Sequence, residues 1–309
     1  MNDHVSLTRR EFLTRSAQAA AAISAGAFPI LAEENHARSF RVPAKQVRGI
    51  AVDARGKIAV AADNSVLVFH PDGTLAREIS ATQPVRAVGF DTRGRLFAAF
   101  KDQVAAITGR DEITLLGEPF GGRESAVTSL AFADGGDIYA ADSGTRTVWR
   151  LDAAGKVLGK IQPPQNAFAA PRAFFPIAWH GGHLIVADPG RHEIQTYTPD
   201  GRLVAKWGER SRDIAGFAGC CNPVSFAALA DGTIVTAERG QPCVKAFSAA
   251  GKFSRVLAGP EDFAESIAAT RADADDLTGC QSGLLQVAAG PNGAIVILDR
   301  TTREVRILA

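Results

Sequence analysis

The four cysteines are the residues of this chain whose side chains are most able to carry chemistry. Cys220 and Cys221 are adjacent, in the run Gly-Cys-Cys-Asn-Pro, whereas Cys243 and Cys280 stand alone. Cysteines form disulfides in oxidising compartments, and thiolates bind zinc, copper(I) and iron–sulfur clusters. Three interpretations therefore stay open: one or two disulfides, a thiolate-bound metal or iron–sulfur site, or redox-active thiols. The spacing matches no zinc-ribbon or ferredoxin signature.

Acidic residues recur at one position, at the end of an apolar run of strand length. Because such side chains commonly bond backbone amides in turns, the recurrence favours a structural role over catalysis. Two histidines, His180 and His183, flank a Gly-Gly turn and are expected to be ordinary turn residues. The recurring acids are Asp63, Asp142, Asp188, Glu238 and Asp299.

These residues are carried by an internal repeat. Six copies of one unit follow each other, each with apolar runs of strand length separated by Gly and Asp turns. Repeats of this kind predict propeller blades, because one small sheet cannot bury both faces alone. We expect an all-β protein, a single six-bladed β-propeller over residues 38–309. The copies are Ile50–Gly73, Val88–Ile107, Leu130–Gly155, Ile177–Gly201, Phe226–Gly251 and Val287–Leu308.

The sixth copy ends with the chain and lacks a fourth strand. An extended, alternating segment, Arg38–Pro43, precedes the first copy. We predict that this segment forms the outer strand of the last blade, closing the ring and covering an edge that would otherwise promote aggregation.

The repeat itself resembles a known group. Its pattern, Asp/Asn-x-Gly-x-Ile/Leu-x-Val-Ala-Asp followed by Val-x-x-Phe/Tyr-x-x-Asp-Gly, is similar to that of NHL-repeat six-bladed propellers from about Val47 onward. The resemblance implies the fold. It implies no single activity, since this architecture hosts lactonases, amidating lyases and binding platforms.

The innermost strands give a test of the enzyme interpretation. We expect their small residues to face the axis and their bulky residues to pack between blades. Neither set holds a carboxylate or histidine, so the metal site of gluconolactonase-like propellers and the histidines of lyase-like ones cannot be carried over; Asn222 is the only match in kind. The small set is Gly49, Ala51, Ala87, Gly89, Ser129, Ala131, Pro176, Ala178, Ser225, Ala227, Gln286 and Ala288; the bulky set is Ile50, Val52, Val88, Phe90, Leu130, Phe132, Ile177, Trp179, Phe226 and Val287, with Ala228 and Ala289 at its smaller positions.

Long insertions fall between the copies, at Leu116–Ser125, Gln162–Phe175, Trp207–Pro223 and Ala258–Gly283. In a propeller these connections share one face with the loops between second and third strands, here called the connection face. All four cysteines should reach it on blades five and six. A set of polar residues should form a binding face beside them, with the charge of His192 able to change between pH 5 and 8. The set is Asp188, Arg191, His192, Asn222, Glu238 and Arg239.

The N-terminus resembles a twin-arginine (Tat) export signal. The paired Arg9 and Arg10 precede Phe12 and Leu13, and a mildly apolar run, Ala17–Ala32, follows. We expect residues 1–32 to be a signal peptide, cleaved after Ala27 or Ala32. The resemblance implies export through the Tat translocon to the periplasm or beyond. No later apolar run is long enough to predict a membrane span in the mature protein.

Composition narrows the function further. The net charge is +1 and no basic run is evident, which argues against nucleic acid as a partner. No Ser/His/Asp triad or phosphate-binding Gly loop is visible. Our first hypothesis is an exported scaffold that binds a protein or redox partner through the connection face of blades four to six. The alternative is an enzyme, either a lactonase-like hydrolase or lyase, or a thiol- or metal-dependent redox enzyme.

Overall fold

The fold is described from a computed structural model of the chain, for residues 38–109, 111–163, 167–272 and 285–308. Within these residues, strands form six four-stranded antiparallel sheets arranged as the blades of a β-propeller. This confirms the predicted all-β architecture. The predicted signal segment with Arg9, Arg10, Phe12 and Leu13, and the fourth cysteine, Cys280, lie outside the described residues.

Each blade runs from an inner strand at the axis to an outer strand at the rim. Even the degenerate second copy forms a complete blade, because its fourth strand follows the copy in sequence. The strands are β1 Arg38–Arg41; blade one, β2 Val47–Val52, β3 Ile58–Ala62, β4 Ser65–Phe69, β5 Leu75–Ser80; blade two, β6 Ala87–Phe90, β7 Leu96–Ala99, β8 Val104–Ile107, β9 Ile113–Leu116; blade three, β10 Val127–Phe132, β11 Ile138–Asp142, β12 Thr147–Leu151, β13 Val157–Ile161; blade four, β14 Ile177–His180, β15 His183–Asp188, β16 Glu193–Tyr197, β17 Leu203–Trp207; blade five, β18 Ser225–Ala228, β19 Ile234–Glu238, β20 Cys243–Phe247, β21 Phe253–Ala258; and blade six, β22 Leu285–Ala289, β23 Ile295–Asp299, β24 Glu304–Leu308.

The first strand closes the ring, as predicted. Strand β1 pairs antiparallel with β24, placing Phe40 opposite Val305. The Phe40 ring also packs 4.7 Å from the ring of Phe69 in blade one, measured between centroids. One short segment therefore completes the sheet of the last blade and contacts the first, so the ends of the described propeller are fastened together.

The apolar core lies between neighbouring blades, where the bulky inner-strand residues pack as expected, but the small residues do not face the axis alone. Both sets of inner-strand residues line the axis. They also pack against each other: Val88 and Phe90 of blade two contact blade one, beside Ala51, while Leu130 and Phe132 of blade three contact blade two, beside Ala87. Only small residues fit at these positions, because a bulky residue of the next blade packs directly against them.

Side chains also bridge the inner strands, whose axial edges have no further strand to pair with. The Ser129 hydroxyl accepts a hydrogen bond from the Ile177 amide at 3.3 Å, and the Ser225 hydroxyl accepts one from the Val287 amide at 3.1 Å. The Gln286 amide donates to the Arg48 carbonyl at 2.8 Å. The polar inner-strand residues are therefore already engaged in joining blades.

One connection contains helical structure. A 3-10 turn, Pro260–Phe263, leads into helix α1, Ala264–Ala272. The Ser266 hydroxyl in α1 donates to Asp299 at the end of β23 at 3.2 Å, which fixes the helix to blade six. A second 3-10 turn, Pro291–Gly293, joins β22 to β23. Among the residues that the structure describes, no helix has the length and apolar character needed to span a membrane.

The close contact between small and bulky residues gives a stability prediction. A Cβ atom added at Gly89 would lie 2.6 Å from the Phe132 ring, so Gly89→Ala should destabilise the fold by about 1–3 kcal/mol through overpacking. Urea unfolding at neutral pH measures this. The matched control is Gly159→Ala on the outer strand β13, where a Cβ meets no atom within 4 Å and the change should stay within about 0.5 kcal/mol. Equal effects of the two substitutions would contradict the packing argument.

Candidate functional site

The inner strands of all six blades line an axial cavity of about 470 Å³. Most side chains in its walls are apolar or small, while the exposed surface of the walls is about equally polar and apolar. At the connection-face end they carry Ser129, Ser225 and Gln286, and at the opposite end they carry Asp134 and His180. His180 therefore faces the cavity as well as beginning a turn, which its position beside a Gly-Gly pair did not reveal.

The residues of this cavity do not fit a divalent metal. Asp91, at the same end as His180, accepts hydrogen bonds from the backbone amides of Arg93 and Arg95 and from the Arg95 side chain. Asp134 accepts one from the Trp179 indole at 3.2 Å. Throughout the described part of the chain, no three His, Cys, Asp or Glu side chains are grouped to hold a metal ion. No metal-dependent step is therefore derived for this cavity.

A second concentration of polar groups lies on the connection face, at the ends of the second strands. The Asp63 carboxylate accepts the backbone amides of Lys45 and Gln46, each at 2.9 Å. Asp142 accepts the Ala126 amide at 2.7 Å. In both cases the carboxylate binds the chain segment that leads into its own blade, which supports the structural role predicted from recurrence.

Asp188 holds the entry to blade four in the same way. Its carboxylate accepts the Ala169 amide at 2.8 Å and pairs with the Arg191 guanidinium. The side chain is fully buried, and burial raises the pKa of this carboxyl despite the opposing effect of Arg191. Arg191 also donates to the Ala167 carbonyl at 3.2 Å. Asp188 therefore lies beneath the connection face, while Arg191 remains partly exposed on it.

His192 is buried with a left-handed backbone, at φ +61°. Its Nε2 lies 3.1 Å from the Gly219 carbonyl, in the connection between blades four and five. Burial lowers the pKa of the imidazole. The charge change expected between pH 5 and 8 is thus displaced downward, and the neutral ring acts as a support for the connection.

Asn222 completes the attachment of this connection. Its side-chain amide donates to the carbonyls of Ala218 at 2.5 Å and Arg239 at 3.2 Å, and its oxygen accepts the Arg239 amide at 3.0 Å. The backbone amide of Asn222 donates to the Pro189 carbonyl in blade four at 3.1 Å. Because its polar atoms are occupied, the residue serves the loop rather than a metal.

Blade five differs from the others by a buried ion pair. Glu238 takes the place of the strand-end aspartate, and the Lys245 ammonium lies 2.5 Å from its carboxylate, both side chains 4% exposed. Lys245 also donates to the carbonyls of Ile214 and Gly216, at 2.9 and 2.8 Å. Burial raises the pKa of Glu238, with Lys245 opposing the shift.

Lys245 is not among the predicted site residues, although the sequence carries a signal for it. Across the β19–β20 register, Lys245 occupies the position held by Trp149 in blade three and Gln195 in blade four. Those side chains also donate to their strand-end acids, Trp149 to Asp142 at 3.3 Å and Gln195 to Asp188 at 3.4 Å. Aligning the third strands of the copies would have shown that a donor recurs there.

The remaining predicted residues surround this pair. Cys243 begins β20 directly opposite Glu238, and its half-buried thiol has a pKa raised to about 12 by burial and by the Glu238 carboxylate. Cys220 is exposed, and Cys221 packs partly into the core between blades five and six. One guanidinium nitrogen of Arg239 is buried without a hydrogen-bond partner among the described residues. The three described cysteines thus lie on or beside one connection, without forming a metal-binding group.

Comparisons with known proteins bear on the fold. No protein-family model matches the chain, and no curated protein matches it. Solved structures do. Virginiamycin B lyase from Staphylococcus aureus is 12% identical over 88% of this chain and 99% of its own, with a TM-score of 0.59. A streptogramin B lyase is 15% identical over 89% and 96% of the two chains, with a TM-score of 0.60.

A gluconolactonase from Xanthomonas campestris is similar at the same level, with 16% identity, a TM-score of 0.60, and coverage of 88% of this chain and 89% of its own. This chain shares the six-bladed propeller fold of these enzymes. At such identities the likeness extends to the fold alone, because one propeller architecture hosts many activities.

The burial of His192 predicts a pH dependence of stability. Since its pKa is lower in the folded than in the unfolded protein, the unfolded state binds more protons below about pH 6.5. The contribution is intact above that pH and is lost as the pH falls, with a slope of at most about 1.4 kcal/mol per pH unit. His192→Asn, which tolerates the left-handed backbone, should remove this slope in urea titrations from pH 8 to 5. His70→Asn, at an exposed position, should leave the slope unchanged; a slope that persists in His192→Asn would contradict the assignment.

The electrostatics of Cys243 predict low thiol reactivity. Alkylation requires the thiolate, which the raised pKa suppresses at pH 8. Iodoacetamide should modify Cys243 at least about 100-fold more slowly in the folded protein than in urea, as followed by peptide mass spectrometry. Similar rates in the two states would show that the thiol is ionised or openly accessible in the folded protein.

Proposed function

We propose that this protein is an exported binding scaffold that recognises a protein or redox partner through the connection face of blades four to six. The supporting observation is the way the connection between blades four and five, residues 208–224, is held. Three buried side chains, His192, Asn222 and Lys245, fasten it from below.

One of these attachments includes a buried ion pair between Glu238 and Lys245. A buried ion pair seldom stabilises a fold more than apolar residues of the same volume would, because both charges lose their hydration. Glu238 and Lys245 nevertheless occupy the interior of blade five, with Lys245 bound to two carbonyls of the connection. We infer that they fix the position of the connection, because a preorganised loop loses less entropy on binding a partner.

The outer surface of the same connection is polar and charged. Glu209, Arg210, Arg212 and Asp213 are exposed, together with Cys220. Inside, the Phe217 ring is fully buried, with its centroid 5.8 Å from that of Phe247. An apolar anchor below and mixed charges above are typical of a loop that presents a recognition surface on a rigid scaffold.

The location of this scaffold follows from the resemblance of the N-terminal segment to a Tat signal. We propose that the mature protein acts in the periplasm or is secreted. In an oxidising compartment of that kind, cysteines commonly form disulfides, which keeps both the disulfide and the thiol-redox interpretation of the four cysteines within the proposal. Cys243 contributes less, because the Glu238 carboxylate opposes formation of its thiolate.

The enzyme alternative places chemistry in the axial cavity. The lyase and lactonase neighbours share that fold, but the acids lining this cavity are engaged with Arg93, Arg95 and Trp179. The polar inner-strand residues at its other end bond across blades. A lyase or lactonase would therefore need groups from outside these positions, which favours the scaffold proposal.

Site-specific photocrosslinking in the native host tests the proposal. A photoreactive amino acid at Arg212 or Gln241, both exposed on the connection face, should give one defined crosslinked product with the full-length protein carrying its own leader. The same group at Ala249 in the turn after β20, or at Arg255 on the outer strand β21, should not.

Mass spectrometry then identifies the captured partner, whose identity shows whether it is a redox protein. Crosslinks of equal yield at all four positions, or none from the connection face under conditions where the protein is folded and exported, would overturn the scaffold proposal. Turnover of gluconolactone or virginiamycin B by the purified protein would instead favour the enzyme alternative.

A further inference from the structure

Three arginines gather at the connection-face rim of the axial cavity, on blades six, one and two, of which the proposed partner face includes only blade six. Arg48 and Arg86 immediately precede Gly49 and Ala87, which line the cavity on the inner strands of blades one and two. Arg300 follows β23 in blade six. We call this group the arginine rim.

The backbone brings the three residues together. A Cβ atom added at Gly49 would lie 3.3 Å from the Ala87 Cα and 3.6 Å from the Arg86 carbonyl, so the two inner strands approach closely here. Arg300 donates through Nε to the Val47 carbonyl at 3.0 Å, beside Arg48. Gln286, which lines the cavity, donates to the Arg48 carbonyl at 2.8 Å.

Neutral groups hold these side chains in place without compensating their charge. Arg48 donates to the Asp63 carbonyl at 2.8 Å and to the Gln46 side-chain oxygen at 2.7 Å. Arg86 is half-buried, and its guanidinium donates to no residue within the described ranges. No carboxylate forms an ion pair with any of the three in that same part of the chain, whereas Arg77 and Arg150, for example, pair with Asp111 and Asp137.

Carboxylates on the same face are already committed. Asp63 accepts the amides of Lys45 and Gln46, and Asp142 accepts the Ala126 amide and the Ser125 hydroxyl. The exposed Arg172 nearby pairs with Glu124 at 3.2 Å. The rim therefore retains a net positive charge that the described residues do not neutralise.

This charge is partly withdrawn from water. Burial and the neighbouring charges of Arg48 and Arg172 lower the pKa of Arg86 despite the opposing effect of the Asp142 carboxylate, and burial with Arg48 lowers the pKa of Arg300 to about 10. Arginine keeps its proton even so, and desolvated guanidinium groups without a counter-charge are unfavourable. A carboxylate or phosphate group would lower that cost, because two of its oxygens can accept parallel hydrogen bonds from one guanidinium.

We propose that the arginine rim binds the carboxylate or phosphate group of a small organic anion, with the rest of the ligand in the axial cavity. The cavity of about 470 Å³ behind the rim has the volume of a small-molecule site, and its walls combine apolar side chains with polar groups. The site lies on blades six, one and two, so it shares only blade six with the proposed partner surface, and Arg86 of blade two lies outside that surface.

Calorimetric titration of the purified protein with inorganic phosphate, and separately with succinate, tests this proposal at low ionic strength. We expect saturable binding of at least one probe with a dissociation constant in the millimolar range or below, weakened by added salt. Binding of phosphate alone assigns the site to phosphates, binding of succinate alone assigns it to carboxylates, and binding of both supports a general oxyanion site.

Arg86→Gln should weaken binding about tenfold or more, since it removes a charged donor, and Arg86→Lys should recover part of the loss. Because Arg86 donates no hydrogen bond within the described fold, Arg86→Gln should melt at the same temperature as the parent protein or higher without ligand. Arg77→Gln removes an equal charge from the outer strand β5, and should change binding less than about twofold. Failure of both probes to bind, or unchanged affinity in Arg86→Gln, would overturn the proposal.

Discussion

The propeller depends on an attachment at the end of the second strand in blades one, three, four and six, where a carboxylate binds the chain segment that enters its blade. Asp63 and Asp142 do so through backbone amides, and Asp188 does so through the Ala169 amide. In blade six, Asp299 accepts the hydroxyl of Ser266 from α1 instead. Since these amides would otherwise be unpaired in turns at partly buried positions, the acids tie each connection to the scaffold at a fixed point.

Variation of this one attachment gives the connection face its local character. A donor from the third strand reaches the acid in blades three to five, as an indole, an amide and an ammonium group in turn. Only Lys245 carries a full charge and reaches beyond the acid to the connection itself, at Ile214 and Gly216. Blade five is thus specialised by an exchange of side chains at a repeat position, with the sheet register retained.

The spacing of the repeats was sufficient to predict the architecture. It was not sufficient to predict how the inner-strand side chains pack around the axis. The spacing of turns predicted six blades and the closing strand, because strand length and hairpin punctuation are local properties. The bulky inner-strand residues do pack between blades as predicted, but the expectation that the small residues face the axis was wrong, because they too meet the next blade. Both sets line the cavity, and Gly89 is small because Phe132 of the next blade approaches it. Which neighbour a side chain meets depends on the angle between blades, which one copy does not encode.

The sequence by itself determined the blades, their order, the closing strand and the structural role of the strand-end acids. Each of these follows from the pattern of strands and turns that repeats along the chain. Only the tertiary structure decided which charges are paired. It placed Lys245 against Glu238 and left Arg48, Arg86 and Arg300 without carboxylates in the described chain. Pairing depends on distances between residues of different strands and blades, and burial then sets the pKa of groups such as His192 and Cys243. Those distances exist only once the ring has closed.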